Sequence, residues 1–244
     1  MDNNELLKKR ISELSHRAYE RGYTTYTDFL NIQEISILNS IKTNSVATLY
    51  GGYTNAERCV CAFSDGEVFT HPITCIKAEP LNQKFSDKLT HRDFLGALMN
   101  LGIEREMIGD IKIIDNVGYI FCIDRISNYI IENLSSVKHT SVKCTVANTI
   151  PQILNELPEE TEFIVSSLRI DTVISAVYKM SRSSASQLIN LQKVFINSST
   201  VYKDSVLLKD GDVVSVRGYG KFIYSKSVSE TKKHKIVVAI RIYR

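Results

Sequence analysis

The chain has 244 residues, 43% of them apolar, enough for two or three compact domains and too apolar for a disordered segment to dominate. Its net charge of +3 hides a split: residues 1–165 hold 16 Lys or Arg against 22 Asp or Glu, a net of −6, whereas residues 166–244 hold 14 against 5, a net of +9. No apolar run approaches the roughly 20 residues that cross a bilayer, and Met1-Asp-Asn-Asn-Glu5 lacks the basic start and apolar core of a signal peptide, so the expectation is a cytoplasmic protein with no membrane partner.

In chain order, Leu6, Leu7, Ile11, Leu14 and Ala18 fall at helical spacing between Glu5 and Arg21, with Lys8, Lys9, Arg10 and Arg17 opposite, and Gly22 closes this amphipathic helix. A second helix is predicted from Leu30 to Ile41 on Ile32, Ile35, Leu38 and Ile41. The strands Val46–Tyr50 and Cys59–Phe63 flank Gly51-Gly-Tyr-Thr-Asn-Ala-Glu-Arg58, a loop whose paired glycines point to a hairpin. From Ile73 the order is strand (Ile73–Ala78), helix (His91–Leu101), strand (Ile111–Ile114), strand (Val117–Ile123), helix (Asp124–Leu134) and strand (Ser141–Ala147). Thr90-His-Arg-Asp93 reads as a capping box at the first of these helices. The order β-α-β-β-α-β is that of the ferredoxin-like split unit, an architecture also used by RNA-recognition sheets (RRM-like).

The segment 151–165 has two prolines and four glutamates and stands where the charge balance reverses, so it is read as a linker. The domain reading is therefore 1–72 (helical segment with hairpin), 73–150 (ferredoxin-like), 151–165 (linker) and 166–244 (basic module), in the α+β class. In the basic module two short helices, Arg169–Lys179 and Ser183–Leu191, precede strands near Val194–Ile196, Val213–Val216, Lys221–Tyr224 and Lys235–Ile242. Ser181 is the predicted N-cap of the second helix, which leaves Arg182, Ser183 and Gln187 outward at a helix start, a natural seat for phosphate. Asn197 and Asp210-Gly-Asp212 mark turns, and Arg217-Gly-Tyr-Gly220 sets a cation among glycines.

This stretch resembles the RNA-binding module named after ribosomal protein S4, on the pattern Arg169-x-Asp171, Ser181-Arg-Ser183, Leu188-Ile189, Val194-x-Ile-Asn197 and Gly211-Asp212-x-x-x-Val216. The extension Ser215-Val-Arg-Gly-Tyr-Gly-Lys-Phe222 resembles the YlmH family in particular, as do Tyr50–Arg58, Thr90–Ile103 and Ile108-Gly-Asp-Ile111. The resemblance implies an S4-type α/β domain at the C-terminus, RNA binding without catalysis, and association with the large ribosomal subunit and peptidyl-tRNA when nascent chains stall; a link to cell division belongs to the same family picture. The module usually has Gly where Gln192 stands, and a left-handed Gln there costs roughly 1 kcal/mol relative to Gly.

The expected RNA-binding residues are Arg169, Lys179, Arg182, Ser183, Gln187, Lys193, Lys203, Arg217 and Lys221, on structured rRNA or tRNA. Arg169 and Asp171 also suit a purely structural pair. If the five cations Arg182, Lys193, Lys203, Arg217 and Lys221 each neutralise about one phosphate, affinity falls with salt at a log-log slope of roughly −4. Tyr50, Tyr53 and Arg58 form a possible second contact surface. Tyr119 and Phe121 share one strand face and partly echo the aromatic strand of RNA-recognition motifs, although core filling explains them equally. The five cysteines (Cys59, Cys61, Cys75, Cys122, Cys144) lie on strand-like stretches and suit reduced thiols. One C-x-C without a second ligand pair is no metal signature, and neither metal nor cofactor is expected. A monomer is expected.

The alternatives are an RNA-modifying enzyme of the pseudouridine-synthase kind, with a site near His91, Asp93 or Asp110, and a cell-division scaffold. Against an enzyme, no paired carboxylate, activated nucleophile or cofactor loop stands clear of structural roles. His91-Arg-Asp93 lacks both the spacing to Asn100 and the glycine-rich loop that a kinase needs.

Overall fold

A computed structural model describes residues 3–68 and 70–243. The chain divides into two compact units: one takes residues up to Glu34 and then Ile41–Asn155, the other Ile35–Ser40 and the chain from Glu156 onward. The class is α+β, with six α-helices among the described residues.

In the first unit, α1 (Asn3–Arg21) buries Ile11, Leu14 and Ala18, while Leu6 stays exposed. The next element is β1 (Thr25–Leu30), a strand inside the segment expected to lead into a helix, and α2 (Ile32–Asn39), which from Ile35 belongs to the second unit, starts only after it. The side chain of Asn31 accepts the N–H groups of Gln33 and Glu34, and Glu34 accepts the N–H of Asn31, so the helix start is set by this reciprocal cap and not by the apolar register. β2 (Val46–Tyr50) and β3 (Cys59–Ser64) form the expected hairpin with Tyr50 opposite Val60, and β1 joins it to give a three-stranded antiparallel sheet, order β1-β3-β2.

The larger sheet contains β4 (Ile73–Pro80), then α3 (His91–Asn100), β5 (Ile108–Ile114), β6 (Val117–Ile123), α4 (Asp124–Asn133), the two-residue β7 (Ser136–Val137) and β8 (Thr140–Val146). All pairings are antiparallel and the order is β5-β6-β4-β8-β7. Asp93 accepts both the N–H and the hydroxyl of Thr90, at 2.8 and 2.6 Å, and so fixes the start of α3. Ile76, Ala78, Ile120 and Cys122 face the helices and pack on Phe94, Leu98 and Ile130.

The second unit opens on β9 (Glu160–Val165), a strand within the segment read as linker. α5 (Ile170–Val177), α6 (Arg182–Asn190), β10 (Val194–Ile196), β11 (Ser199–Thr200), β12 (Val213–Val216), β13 (Gly220–Glu230) and β14 (Ile236–Tyr243) complete a six-stranded sheet, order β11-β10-β12-β13-β14-β9. The apolar faces of both helices (Ile170, Val173, Ile174, Val177; Ala185, Ile189) close over Val194, Val214, Phe222, Tyr224, Val238 and Ile240.

Candidate nucleic-acid interface

The basic unit is organised around one carboxylate. Asp171, in the first turn of α5, is 2% exposed. It accepts bonds from Arg169 at 3.1 Å and from Arg182 Nη2 at 2.7 Å, and its Oδ1 also takes the backbone N–H of Thr172 at 2.8 Å. Burial pushes the Asp171 carboxyl up, but the hydrogen bonds from Arg169 and Arg182 outweigh it and hold the group below the usual carboxylate range. Arg169 also reaches Asp204 at 3.2 Å, and Ser186 on α6 donates to the same aspartate at 3.2 Å. Two arginines and two aspartates make this group neutral as a whole, so its effect is to orient Arg182. The Arg182 side chain keeps 53% of its surface open to solvent at the first residue of α6.

Ser181 caps α6, its hydroxyl taking the N–H of Ser184 at 3.0 Å, as expected. Ser183 and Gln187 are exposed on the same helix. Both helices of the unit end in left-handed residues without being glycine: Lys179 at φ 51° and Gln192 at φ 54°. The Lys193 N–H returns to Leu188 O at 3.0 Å and the Gln192 N–H to Ile189 O at 2.8 Å, a complete Schellman cap in which a side chain stands where Gly is easiest.

At the far end of α6 the Arg217 N–H bonds the Lys193 carbonyl at 2.8 Å, which makes these two cations backbone neighbours. Lys179, Lys203 and Arg217 are exposed and Lys193 is half-buried. Lys221 is placed differently from the expectation: it is 9% exposed, with its Nζ 4.4 Å from the centre of the Tyr243 ring. It stands on the sheet side opposite the core residues Phe222 and Tyr224, where its pairing across β13 and β14 sets it beside Tyr243 and a cation–π contact replaces water. Lys221 is therefore withdrawn as an RNA contact. Asn197 (φ 48°) forms the turn between β10 and β11 and ties it to the Asp210-Gly-Asp212 turn, donating to Asp212 at 2.8 Å and accepting the Val213 N–H at 2.9 Å.

Sequence reasoning missed two exposed aromatics here, Tyr202 at 69% and Tyr219 at 52%. Tyr219 stands between Gly218 and Gly220, and its ring lies 5.5 Å from that of Tyr178. The glycines on either side were the signal available for it. For Tyr202, in a loop of mixed composition, there was none.

Tyr50, Tyr53 and Arg58 do not form one exposed surface. Tyr50 is exposed, its ring 5.4 Å from His71. Tyr53 is 4% exposed and cannot meet a ligand: its hydroxyl donates to Asp110 at 2.6 Å, and its ring lies 5.0 Å from Phe121. Burial, then the Asp110 charge, pushes the Tyr53 phenol far above its ordinary value. Arg58 is half-buried and donates to the carbonyls of Ile108 at 2.9 Å and Phe29 at 2.8 Å. Asp110 also accepts the N–H groups of Glu57 and Arg58. The motifs Tyr50–Arg58 and Ile108–Ile111 thus bind each other. Glycine is required on both sides: Gly52 sits at φ 98°, where an added Cβ would meet the Phe121 ring at 2.3 Å, and a Cβ on Gly109 would meet Phe29 at 2.6 Å. Asp93 and Asp110, named above for an enzyme reading, are both taken up by structural bonds. Among the described residues no group of His, Cys, Asp or Glu could hold a metal ion, and no helix is long and apolar enough to cross a membrane.

Comparison with known proteins adds three findings. Residues 73–150 match a family described as "Putative RNA-binding domain in YlmH". The chain is 29% identical over 218 residues to ribosome-associated protein quality control protein P2 of Bacillus subtilis, covering 86% of this chain and 83% of that one. A solved structure, cell division protein ylmH from Streptococcus pneumoniae, aligns with TM-score 0.46 at 16% identity over 60% of this chain and 92% of that one, a likeness too distant to carry an argument. The chain thus carries a match to the RNA-binding domain of the YlmH family at 73–150, and its likeness to the Bacillus subtilis relative runs along most of both chains.

Proposed function

We propose that the chain is a non-enzymatic, cytoplasmic RNA-binding protein whose C-terminal unit grips structured rRNA or tRNA on the large ribosomal subunit, in translation or ribosome-associated quality control. The observation that carries this reading is the second unit's excess of basic residues, 14 against 5 from residue 166 onward, together with Arg182 held outward at a helix start by a buried carboxylate. Phosphate contacts of this kind supply affinity without base specificity. We assign the unit to the S4 type on its helix–helix–strand order and its Arg-x-Asp and Ser-Arg-Ser residues. We assign residues 73–150 to the ferredoxin-like type on the sheet order β5-β6-β4-β8 with α3 and α4 on one face. The relative's ribosome-associated name supports the ribosomal setting.

The test is co-sedimentation of the tagged full chain with ribosomes on sucrose gradients. The parent protein runs with large subunits, and the double variant Arg182→Ala, Arg217→Ala shifts at least tenfold toward the free fraction at equal salt, two lost charge-assisted contacts being worth more than about 1.4 kcal/mol together. Unchanged co-sedimentation of the variant would rule this face out, and recovery of septal proteins in place of ribosomal subunits would favour a division scaffold.

A further inference from the structure

The five-stranded sheet has one face under α3 and α4 and an outer face that is only half covered. Phe121, Cys75 and Ile123 lie in the covered half, packed with Tyr53, Phe29 and Val60. The neighbouring row is different. Register places Lys112 of β5 opposite Tyr119 of β6, Tyr119 opposite Lys77 of β4, and Lys77 opposite Thr145 of β8. This row crosses four strands. Lys112 lies on the outer face, because its Nζ is 5.7 Å from the centre of the Tyr53 ring, itself stacked on Phe121. Tyr119 packs at the edge of the same cluster and is half-buried, so part of its ring reaches solvent. Lys77 pairs with Glu79 at 2.6 Å on its own strand, and Lys143, opposite Glu79, adds a further exposed cation.

A partly open aromatic ring with lysines on both flanking strands has the chemistry of a platform for one base, whose π-face stacks on the ring while backbone phosphates meet the ammonium groups. Duplex RNA does not offer such a base, since its bases are stacked and paired. We propose that the row Lys112–Tyr119–Lys77–Thr145 seats an unpaired nucleotide of single-stranded RNA, with Tyr119 as the stacking ring and Lys112 and Lys77 as phosphate contacts. The seat holds one base because the position that would take a second ring, Phe121, is 0% exposed under Tyr53. The proposal rests on the reading of the chain as an RNA-binding protein, but it uses different residues in a different unit from the structured-RNA face.

The experiment is a fluorescence anisotropy titration of the full chain with a labelled oligouridine of about ten nucleotides, an unstructured single strand, alongside a stable RNA hairpin as the structured probe. Tyr119→Ala is expected to lower oligouridine affinity about tenfold, the loss of one base–aromatic stack, whereas Tyr119→Phe stays within about twofold of the parent because it keeps the π-face. Lys112→Glu lies at the rim and keeps the core intact. It is expected to weaken oligouridine binding and to flatten its salt slope by about one phosphate, roughly 0.7. Hairpin binding stays unchanged in all three variants and falls in Arg182→Ala, Arg217→Ala. Parent protein that ignores oligouridine, or parental affinity in both Tyr119→Ala and Lys112→Glu, overturns the seat. If Tyr119→Ala does not fold, Lys112→Glu decides. Oligouridine binding through Tyr119 without any hairpin binding would keep the seat and remove the structured-RNA reading instead.

Discussion

Asp171 has almost no solvent contact yet remains the charged partner of two arginines, because each oxygen has a charged donor and Thr172 adds its own N–H. Without it, Arg169 retains Asp204 but Arg182 loses its carboxylate. Hydrogen bonds to charged groups contribute about 1.5–3 kcal/mol each, and solvent around the half-open Arg182 reduces its share. Asp171→Ala is therefore expected to cost about 2–3 kcal/mol, read as a lower urea midpoint with an unchanged slope. The folded pKa lies below the ordinary 3.8. This stabilisation is thus present above about pH 4 and is lost as the pH falls through the folded value, a loss that Asp171→Ala does not show. Residue identities alone suggested the Arg169–Asp171 pair. They did not show that Arg182, eleven positions on, shares the same carboxylate, because that contact depends on how α5 turns back onto α6. The left-handed cap at Gln192 (φ 54°) was legible only through the family resemblance, which puts Gly at that position.

Elements with strong internal signals were found where the sequence placed them: the hairpin around Gly51 and Gly52, the cap at Thr90, and β6 from Val117 to Ile123. β1 was missed because Thr25-Tyr-Thr-Asp-Phe-Leu30 is short and runs into an apolar helix pattern, and its alternation becomes clear only once β3 lies beside it. β9 was missed because Glu160-Thr-Glu162 looks like solvated linker, yet as an edge strand it needs only one apolar side, and Val165 supplies the buried anchor. Tyr53 and Arg58 looked available for the reverse reason: the groups that occupy them, Asp110 and the Ile108 carbonyl, lie about fifty residues away. Tyr53→Phe keeps the ring against Phe121 but leaves Asp110 without its shortest bond, so a loss of about 1.5–3 kcal/mol in chemical unfolding is expected. Binding of a structured RNA hairpin by the same variant should stay at parental level, which separates this anchoring role from a contact role.

Over the whole molecule, the charge reversal near residue 160 is what sequence alone conveyed best, and the structure refines its consequence. Of the five cations first counted, Lys221 lies under Tyr243, leaving Arg182, Lys193, Lys203 and Arg217. Four neutralised phosphates, at about 0.9 each, correspond to a log-log salt slope of about −3.6 for structured RNA. Lys221→Met should leave that slope unchanged, while Arg217→Ala should flatten it by about 0.9; a slope near zero for the parent would exclude phosphate-driven binding. The bond between Tyr53 and Asp110 spans 57 residues, and it bears on timing during synthesis. A three-stranded sheet whose loop is held by Asp110 and roofed onto Phe121 has no finished surface to dock on until residues 108–123 have left the ribosome and paired. The segment made first in this unit is thus among the last to settle, and until then Phe29, Tyr53 and Val60 present an apolar face that the emerging chain must keep from other partners.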